Sequence, residues 1–260
     1  MKPLLFNARK HRTLNIVIIA LIFISVFIGT AKAGDIADRN ILGFSPDGAY
    51  FAFEEYGVQD GSGYPFANFY IIETKKNSWV KGSPVRILLK DENKTVAMAR
   101  KEAMIIGNLF VDKFKIQPVG KLLAHNPVTE IGRDPLTLTV APGPVPFLKN
   151  YAVTFRVEAL PIKTKRCEAY GDESQIGFLL KAKRKGGEDT EIHKDSRIPT
   201  SRGCPKAYAI SDIIRYSPPE TPNKAIYIIL LQVFSYGFEG DDGRFLAIST
   251  ELPSFNAIRK

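Results

Sequence analysis

The sequence is poor in the residues from which most catalytic and metal sites are built. Its 260 residues include two cysteines, three histidines, three methionines and one tryptophan. It contains no His-Glu-x-x-His motif, no Gly-x-x-x-x-Gly-Lys loop, no dinucleotide fingerprint and no Gly-x-Ser-x-Gly elbow. These absences remove the signatures of zincin metalloproteases, P-loop proteins, dinucleotide-binding enzymes and α/β-hydrolases. We therefore predict no catalytic residue, no metal and no cofactor.

Acidic residues are absent from the first 33 positions. Basic residues there precede an apolar run over residues 16–28, and Ala31, Lys32 and Ala33 form a small-x-small cleavage signature. This order is typical of a secretory signal peptide over residues 1–33. An uncleaved anchor is the alternative, since residues 14–31 are nearly long enough to span a membrane. We expect cleavage, which leaves residues 34–260 as one exported domain with membrane contact only through its leader.

Most of the excess positive charge lies in this leader. The chain carries a formal charge of +9, and +4 remains once five leader residues are removed: Lys2, Arg9, Lys10, Arg12 and Lys32. Basic clusters at residues 163–166 and 181–185 lack interleaved aromatic residues, so no nucleic-acid partner is predicted. These clusters could face an anionic envelope polymer; solvated strand ends are the alternative.

The two cysteines both lie in the exported part of the chain. Cys167 and Cys204 are an even count in an oxidising compartment, which predicts a disulfide. A zinc site is disfavoured because the two residues lack the local spacing of metal ligands.

Alternation of apolar and polar residues over short runs is the dominant pattern. A turn at Ser45, Pro46, Asp47 and Gly48 separates two such runs, and a third follows a glycine-rich loop at residues 57–65. We predict a mainly β fold of antiparallel meanders, propeller-like or a sandwich, with about ten to twelve strands. The clearest strands are residues 41–44, 49–56, 69–74, 85–89, 136–140, 151–159, 176–183, 190–193, 208–216, 225–234 and 245–250.

One helix interrupts the strands, near residues 92–115. Its apolar positions recur at helical spacing: Val96, Ala99, Ala103, Ile106, Phe110 and Phe114. We expect this stripe to pack on a sheet; a partner-binding helix is the alternative. Residues 117–148 contain six prolines and are predicted to be rich in loops, with the strand at residues 136–140 among them and a stiff connector at residues 141–146.

Two glycine-rich hairpin tips resemble each other. Acidic residues gather near both: Glu54, Glu55 and Asp60 near the first, and Glu239, Asp241 and Asp242 near the second. Chains commonly bring their terminal strands together in a sheet, so we expect the tips on neighbouring strands and on one rim. Loops at such rims often carry binding residues. The candidate binding site is Tyr56, Asp60, Tyr236, Glu239 and Asp241; plain hairpin turns are the alternative.

His193 lies close to Asp195 and Ser196, which invites comparison with a catalytic triad. Residues two and three positions apart on one strand or loop do not surround a single substrate atom as base, orienter and nucleophile. We therefore expect His193 to be a surface or hydrogen-bonded histidine.

Several segments carry resemblances to known families. Residues 44–53 resemble one blade motif of the TolB-type β-propellers, present once. The domain more closely resembles a bacterial family of predicted secreted proteins, domain of unknown function 2259. The matching segments are residues 43–48, 53–57, 59–63, 78–80, 201–204 and 237–240. This resemblance implies export in a Gram-negative bacterium, to the periplasm or beyond, and brings no activity, cofactor or site residue.

Two functions remain open from the sequence. The first is a non-catalytic exported module that binds or scaffolds an envelope protein or glycan. The second is a hydrolase that uses carboxylates of the two tips, with or without a metal. An enzyme would need several titratable groups converging on one pocket.

Overall fold

The computed structural model describes residues 34–130, 132, 134–141, 151–171 and 175–253. The predicted leader and most of the predicted connector lie outside these residues. The described residues belong to one compact unit. None of the helices in these ranges is long and apolar enough to cross a membrane.

The first sheet is built from the predicted opening meander. Its strands are β1 (Asp38–Phe44), β2 (Tyr50–Val58), β3 (Pro65–Glu73), β4 (Ser78–Trp79) and β5 (Val85–Leu88). They pair in the order β1-β2-β3-β4, and β5 also pairs with β3. Between β1 and β2, the Asp47 carboxylate accepts hydrogen bonds from Ser45 Oγ at 2.6 Å and Ala49 N at 3.0 Å, while Gly48 takes a φ of 73°. The predicted turn is confirmed.

Helix α1 spans Val96–Phe114 and covers the outer face of the first sheet. It begins where the Thr95 side chain accepts a hydrogen bond from Met98 N. Its fully buried line consists of small residues: Ala99, Ala103 and Gly107. A Cβ on Gly107 would lie 2.8 Å from the Phe69 ring. These small residues therefore allow α1 to pack closely against β3. The prediction that Ile106 belongs to the packed stripe is wrong: it is 42% exposed beside that line.

Eight further strands form two four-stranded antiparallel sheets. They are β6 (Lys121–His125), β7 (Thr137–Val140), β8 (Val153–Pro161), β9 (Ile176–Arg184), β10 (Asp189–Lys194), β11 (Pro205–Tyr216), β12 (Lys224–Tyr236) and β13 (Asp241–Pro253). The central sheet has the order β13-β12-β11-β6, and the third sheet has the order β10-β9-β8-β7. The described residues also include two short 3₁₀ helices: Lys165–Tyr170, which contains Cys167, and Thr200–Arg202, which Cys204 follows.

Strand β12 is buried on both faces, and this arranges the three sheets as layers. Tyr227, Ile229 and Leu231 join a core with β8 and β9 of the third sheet. Ile228 and Leu230, on the opposite face, join a core with the phenylalanines of the first sheet. The central sheet is therefore the middle layer of a sandwich-like stack. The predicted mainly β class is confirmed, and of its two arrangements the layered one describes the molecule.

Of the thirteen strands within the described residues, two were not predicted from the sequence. β4 was expected to be a loop, and β6 lies in the proline-rich region predicted to be loops. Both are short and add to sheets already formed: β4 pairs through two positions with β3, and β6 pairs with β11. The predicted turn at residues 236–243 is shorter, because Tyr236 pairs with Asp241 and the ladder continues to them.

Candidate functional site

The two hairpin tips touch, although not as predicted. The β2–β3 hairpin belongs to the first sheet and the β12–β13 hairpin to the central sheet, so the expectation of neighbouring strands is wrong. The tips meet because these sheets are stacked. Asp60 Oδ2 accepts a hydrogen bond from Glu239 N at 2.8 Å, and a Cβ on Gly61 would lie 3.1 Å from the Phe238 ring.

The other candidate residues at the tips are divided between different surfaces. The Tyr56 ring lies under the Arg100 guanidinium of α1, 4.0 Å from its centroid. Tyr236 instead stacks on Tyr170 at 6.0 Å. Asp241 forms an ion pair of 2.7 Å with Lys206, whose ammonium group also lies over the Tyr236 ring. The structure therefore joins Asp60 to Glu239, and Tyr236 to Asp241 through Lys206, but does not assemble the five residues around one space.

Two acids assigned to the first tip lie inside the molecule. Glu54 and Glu55 are 2% and 1% exposed within β2. Glu54 accepts hydrogen bonds from Asn40 and Arg100 on the helix side of the sheet. The side chains of Glu54 and Glu55 point to opposite faces of the sheet because the two residues are consecutive in a strand. The expectation that they are tip acids is wrong.

Acids buried behind the second tip have altered pKa values. Asp35 forms an ion pair with Arg244, yet burial raises the pKa of Asp35 above its ordinary value. Burial likewise raises the pKa of Asp242. Asp242 Oδ1 is a buried oxygen without a hydrogen-bond partner among the described residues. Both groups therefore favour the protonated form more than an exposed aspartate does.

A cleft of about 610 Å³ opens between the layers, on the β13 side of the central sheet. One wall comes from the first sheet and includes Tyr70, Trp79 and Arg86. The other wall is formed by the end of β10 and the segment after it, residues 193–203. Consecutive residues of β13, from Arg244 to Ile248, line the base. The volume is within the range of ligand pockets, about 300 to 1,000 Å³.

Glu55 is the buried carboxylate on the first wall of the cleft. Its Oε1 accepts hydrogen bonds from the Tyr70 hydroxyl at 2.6 Å and from Asn68 Nδ2 at 2.9 Å. Its Oε2 accepts one from Phe245 N at 2.7 Å. Burial, together with the charge and hydrogen bond of Glu55, raises the pKa of Tyr70 well above its ordinary value. Glu55 therefore fastens the first sheet to the edge of β13.

Asp195 is the buried carboxylate on the second wall of the cleft. Its Oδ2 accepts hydrogen bonds from Phe178 N at 2.9 Å and from Arg202, and its Oδ1 lies 2.9 Å from His193 Nε2. Burial opposes ionisation, but the bonds from His193 and Arg202 hold the pKa of Asp195 below its ordinary value. His193 is thus a hydrogen-bonded histidine stacked on Phe178, as expected. A triad is not formed, because Asp195 is committed to Arg202 and the strand.

Cations and the Trp79 ring also line the walls of the cleft. Five basic side chains line it against two carboxylates: Arg86, Lys194, Arg197, Arg202 and Arg244. Arg202 and Arg244 are paired with buried aspartates, and the other three are exposed. The Arg86 guanidinium lies over the Trp79 ring at 5.4 Å. An anion that entered the cleft would meet uncompensated positive charge beside a flat aromatic surface.

A disulfide secures the second wall. Cys167 and Cys204 are bonded, with their Cα atoms 5.5 Å apart, which confirms the predicted bridge. Arg166, beside Cys167, donates a hydrogen bond to the carbonyl of Gly203 at 2.8 Å. The wall therefore has a covalent and a polar attachment to the 3₁₀ helix Lys165–Tyr170.

Sequence reasoning did not identify the cleft as a site. Its residues come from separate segments of the chain, none of which carries a catalytic or ligand-binding motif. The available signal was the family resemblance, since Glu55, Trp79 and residues 201–203 lie in segments that carry it. Among the residues that the structure describes, no group of three or more His, Cys, Asp or Glu side chains could hold a metal ion.

Comparison with known proteins gives one match. The model of a family described as predicted secreted protein (DUF2259) matches residues 52–250. The matched region includes both tips and every element that lines the cleft. No curated protein and no solved structure matches the chain.

Proposed function

The chain belongs to the DUF2259 family of predicted secreted proteins, and from this premise we propose that it is an exported, non-catalytic binding module of the Gram-negative periplasm. Its binding site is the cleft between the layers, and its partner is a component of the cell envelope. The cleft supports this role through its size, its exposed cations and the Trp79 ring.

The observation that carries the proposal is the engagement of both cleft carboxylates. Glu55 accepts three hydrogen bonds from protein donors, and Asp195 is held by His193, Arg202 and a backbone amide. A general base needs a lone pair directed at substrate. These two carboxylates direct theirs at the protein, so they build the walls of a binding site.

The tips favour hydrolysis no more than the cleft does. Asp60 accepts the Glu239 amide, and Asp241 is paired with Lys206. Retaining and inverting glycosidases place two carboxyl groups across one substrate bond, whereas Asp60 is directed at the opposite hairpin and Asp241 at Lys206 of β11. We therefore assign binding to the cleft and a structural role to the tips.

Affinity capture with matched variants tests this assignment. The protein, isolated from the periplasm of an expressing bacterium, is immobilised and exposed to envelope extract. The cleft variant carries Trp79→Ala and Arg86→Gln, and the tip variant carries Asp60→Ala and Glu239→Ala. We expect the cleft variant to lose at least nine-tenths of the captured component and the tip variant to retain it, with melting curves showing that both are folded. The reverse pattern would refute the assignment.

A further inference from the structure

The cleft runs along the open edge of the central sheet. Residues at consecutive positions of a strand point to opposite faces, yet all five residues from Arg244 to Ile248 line the cleft. A cavity can touch both faces of one strand only by following its edge. β13 is the edge strand of its sheet, and the walls of the cleft belong to the layers on either side. The space therefore has the position of a missing strand.

The backbone of β13 shows which residues face this space. Gly243, Phe245 and Ser249 direct their amides away from β12: Gly243 N donates to Asp35 O at 2.8 Å, and Phe245 N donates to Glu55. Ser249 exchanges two hydrogen bonds with the Asn77 side chain, from Ser249 N at 2.5 Å and to Ser249 O at 2.9 Å. The register with β12 is continuous, so Ala247 faces the same way.

Between Gly243 and Ser249, Ala247 is the outward-facing position at which neither backbone group has a partner among the described residues outside the ladder. The residue is only 8% exposed. Nearly buried backbone groups of this kind are almost always paired. On either side, Glu55 and Asn77 supply the bonds that a neighbouring strand would make. At Ala247, both the amide and the carbonyl of this edge are therefore able to pair with an added strand.

The positive charge around Ala247 favours a ligand with acidic side chains. Arg86 stands on one wall, and Lys194 and Arg197 stand on the other, all exposed. A strand added beside β13 would direct alternate side chains toward the two walls. Acidic side chains would therefore meet cations, while its backbone would satisfy the amide and carbonyl of Ala247.

We propose that the cleft binds an extended, acidic peptide segment of a partner protein as an additional strand on β13. This inference rests on the proposed function and names the ligand class of the same site. Addition of a strand to an exposed sheet edge is an established way for a protein to bind a peptide. The base of the cleft spans the five residues from Arg244 to Ile248. A segment of about five residues therefore fits along it at the strand rise of about 3.4 Å per residue, and its central residue would pair with Ala247.

The single tryptophan of the chain provides the measurement, because Trp79 lines the cleft. The probe is acetyl-Val-Glu-Val-Glu-Val-amide, titrated into protein isolated from the periplasm while Trp79 fluorescence is followed. The first control peptide has its central backbone nitrogen methylated, and the second has lysine in place of each glutamate. We expect saturable binding of the probe and at least tenfold weaker binding of both controls. We also expect an amide NMR shift and slower hydrogen exchange at Ala247.

Variants distinguish binding of the peptide in the cleft from nonspecific attraction to positive charge elsewhere on the protein. Arg86→Gln combined with Arg197→Gln should weaken the probe at least tenfold, while Lys101→Gln on the exposed surface of α1 should leave its binding unchanged. The strand proposal is overturned if the N-methylated peptide binds equally well, or if the Ala247 amide does not respond. It is also overturned if an acidic trigalacturonate binds the cleft in place of the peptide. If envelope capture still depends on Trp79 and Arg86 in those cases, the proposed function stands without the strand.

Discussion

The cleft and the tips share strands of the β2–β3 and β12–β13 hairpins, to which the cleft adds residues 193–203, and the two regions differ in where their polar groups find partners. At the tips, Asp60 and Glu239 are joined by one exposed hydrogen bond, and Asp241 pairs with a half-buried lysine. In the cleft, Glu55 and Asp195 are buried and link different segments of the chain. Acids at turns are explained by turn chemistry, whereas buried acids need partners that only the packed layers provide.

Removal of the disulfide should have the largest effect and should act on the cleft. The Cys167→Ser, Cys204→Ser variant frees a link across 37 positions, for which chain entropy predicts a loss of about 4 kcal/mol. For a domain of this size, such a loss lowers the melting temperature by roughly 10 °C. Hydrogen exchange should accelerate at residues 199–204 more than at residues 237–240. Free thiols in unreduced, denatured wild-type protein would contradict the premise.

Glu55→Ala should destabilise the protein far more than Asp60→Ala. The first change leaves three donors without their acceptor, the buried ones on Tyr70 and Phe245 and the partly buried one on Asn68, and should cost about 3 kcal/mol. The second removes one exposed hydrogen bond and should cost about 0.5 kcal/mol. Urea unfolding of both variants measures the difference. Equal losses would show that the cleft is no more tightly built than the tips.

The two regions should respond to pH with opposite sign. The pKa of Asp195 is lowered, so its contribution is present above the ordinary value of 3.8 and is lost as pH falls through the folded-state value. The pKa values of Asp35 and Asp242 are raised, so their ionisation disfavours the folded state at neutral pH, and acid relieves this. Carboxyl NMR titrations should place Asp195 below 3.8, and Asp35 and Asp242 above it.

The Asp242→Asn variant tests whether the ionised Asp242 carboxylate destabilises the folded protein. Because burial disfavours the ionised form of Asp242, the variant should be more stable than the wild type near neutral pH. The gain should shrink as pH falls through the raised pKa of Asp242. Glu239→Gln removes one charge from an exposed position on the same tip and serves as the control. A gain that is independent of pH would contradict the assigned cause.

The ion pair between Lys206 and Asp241 should contribute least. Both side chains are partly exposed, at 26% and 43%, and exposed pairs contribute about 0 to 1 kcal/mol. A double-mutant cycle with Lys206→Ala and Asp241→Ala should give a coupling of about 0.3 kcal/mol that high salt removes. A coupling above about 1 kcal/mol would place this pair with the buried contacts of the cleft.

Local chemistry was sufficient to predict much of the chain. The turn at residues 45–48, the helix, the longer strands and the pairing of Cys167 with Cys204 follow from turn residues, apolar period and cysteine count. The turn, the helix and the strands depend on neighbours in sequence, and two cysteines allow only one pairing. For the same reason, the acidic tips were visible before their surroundings were known.

Tertiary structure alone decided the order of the layers and the existence of the cleft. Burial of β12 on both faces indicates a central strand, but its alternation does not identify the sheet that covers each face. Short strands such as β4 and β6 form because a longer strand offers them an edge. Tyr70, Trp79, Asp195 and Ala247 converge from four segments because the central sheet ends at β13 while the layers beside it continue. That convergence depends on distant packing, which no local pattern encodes.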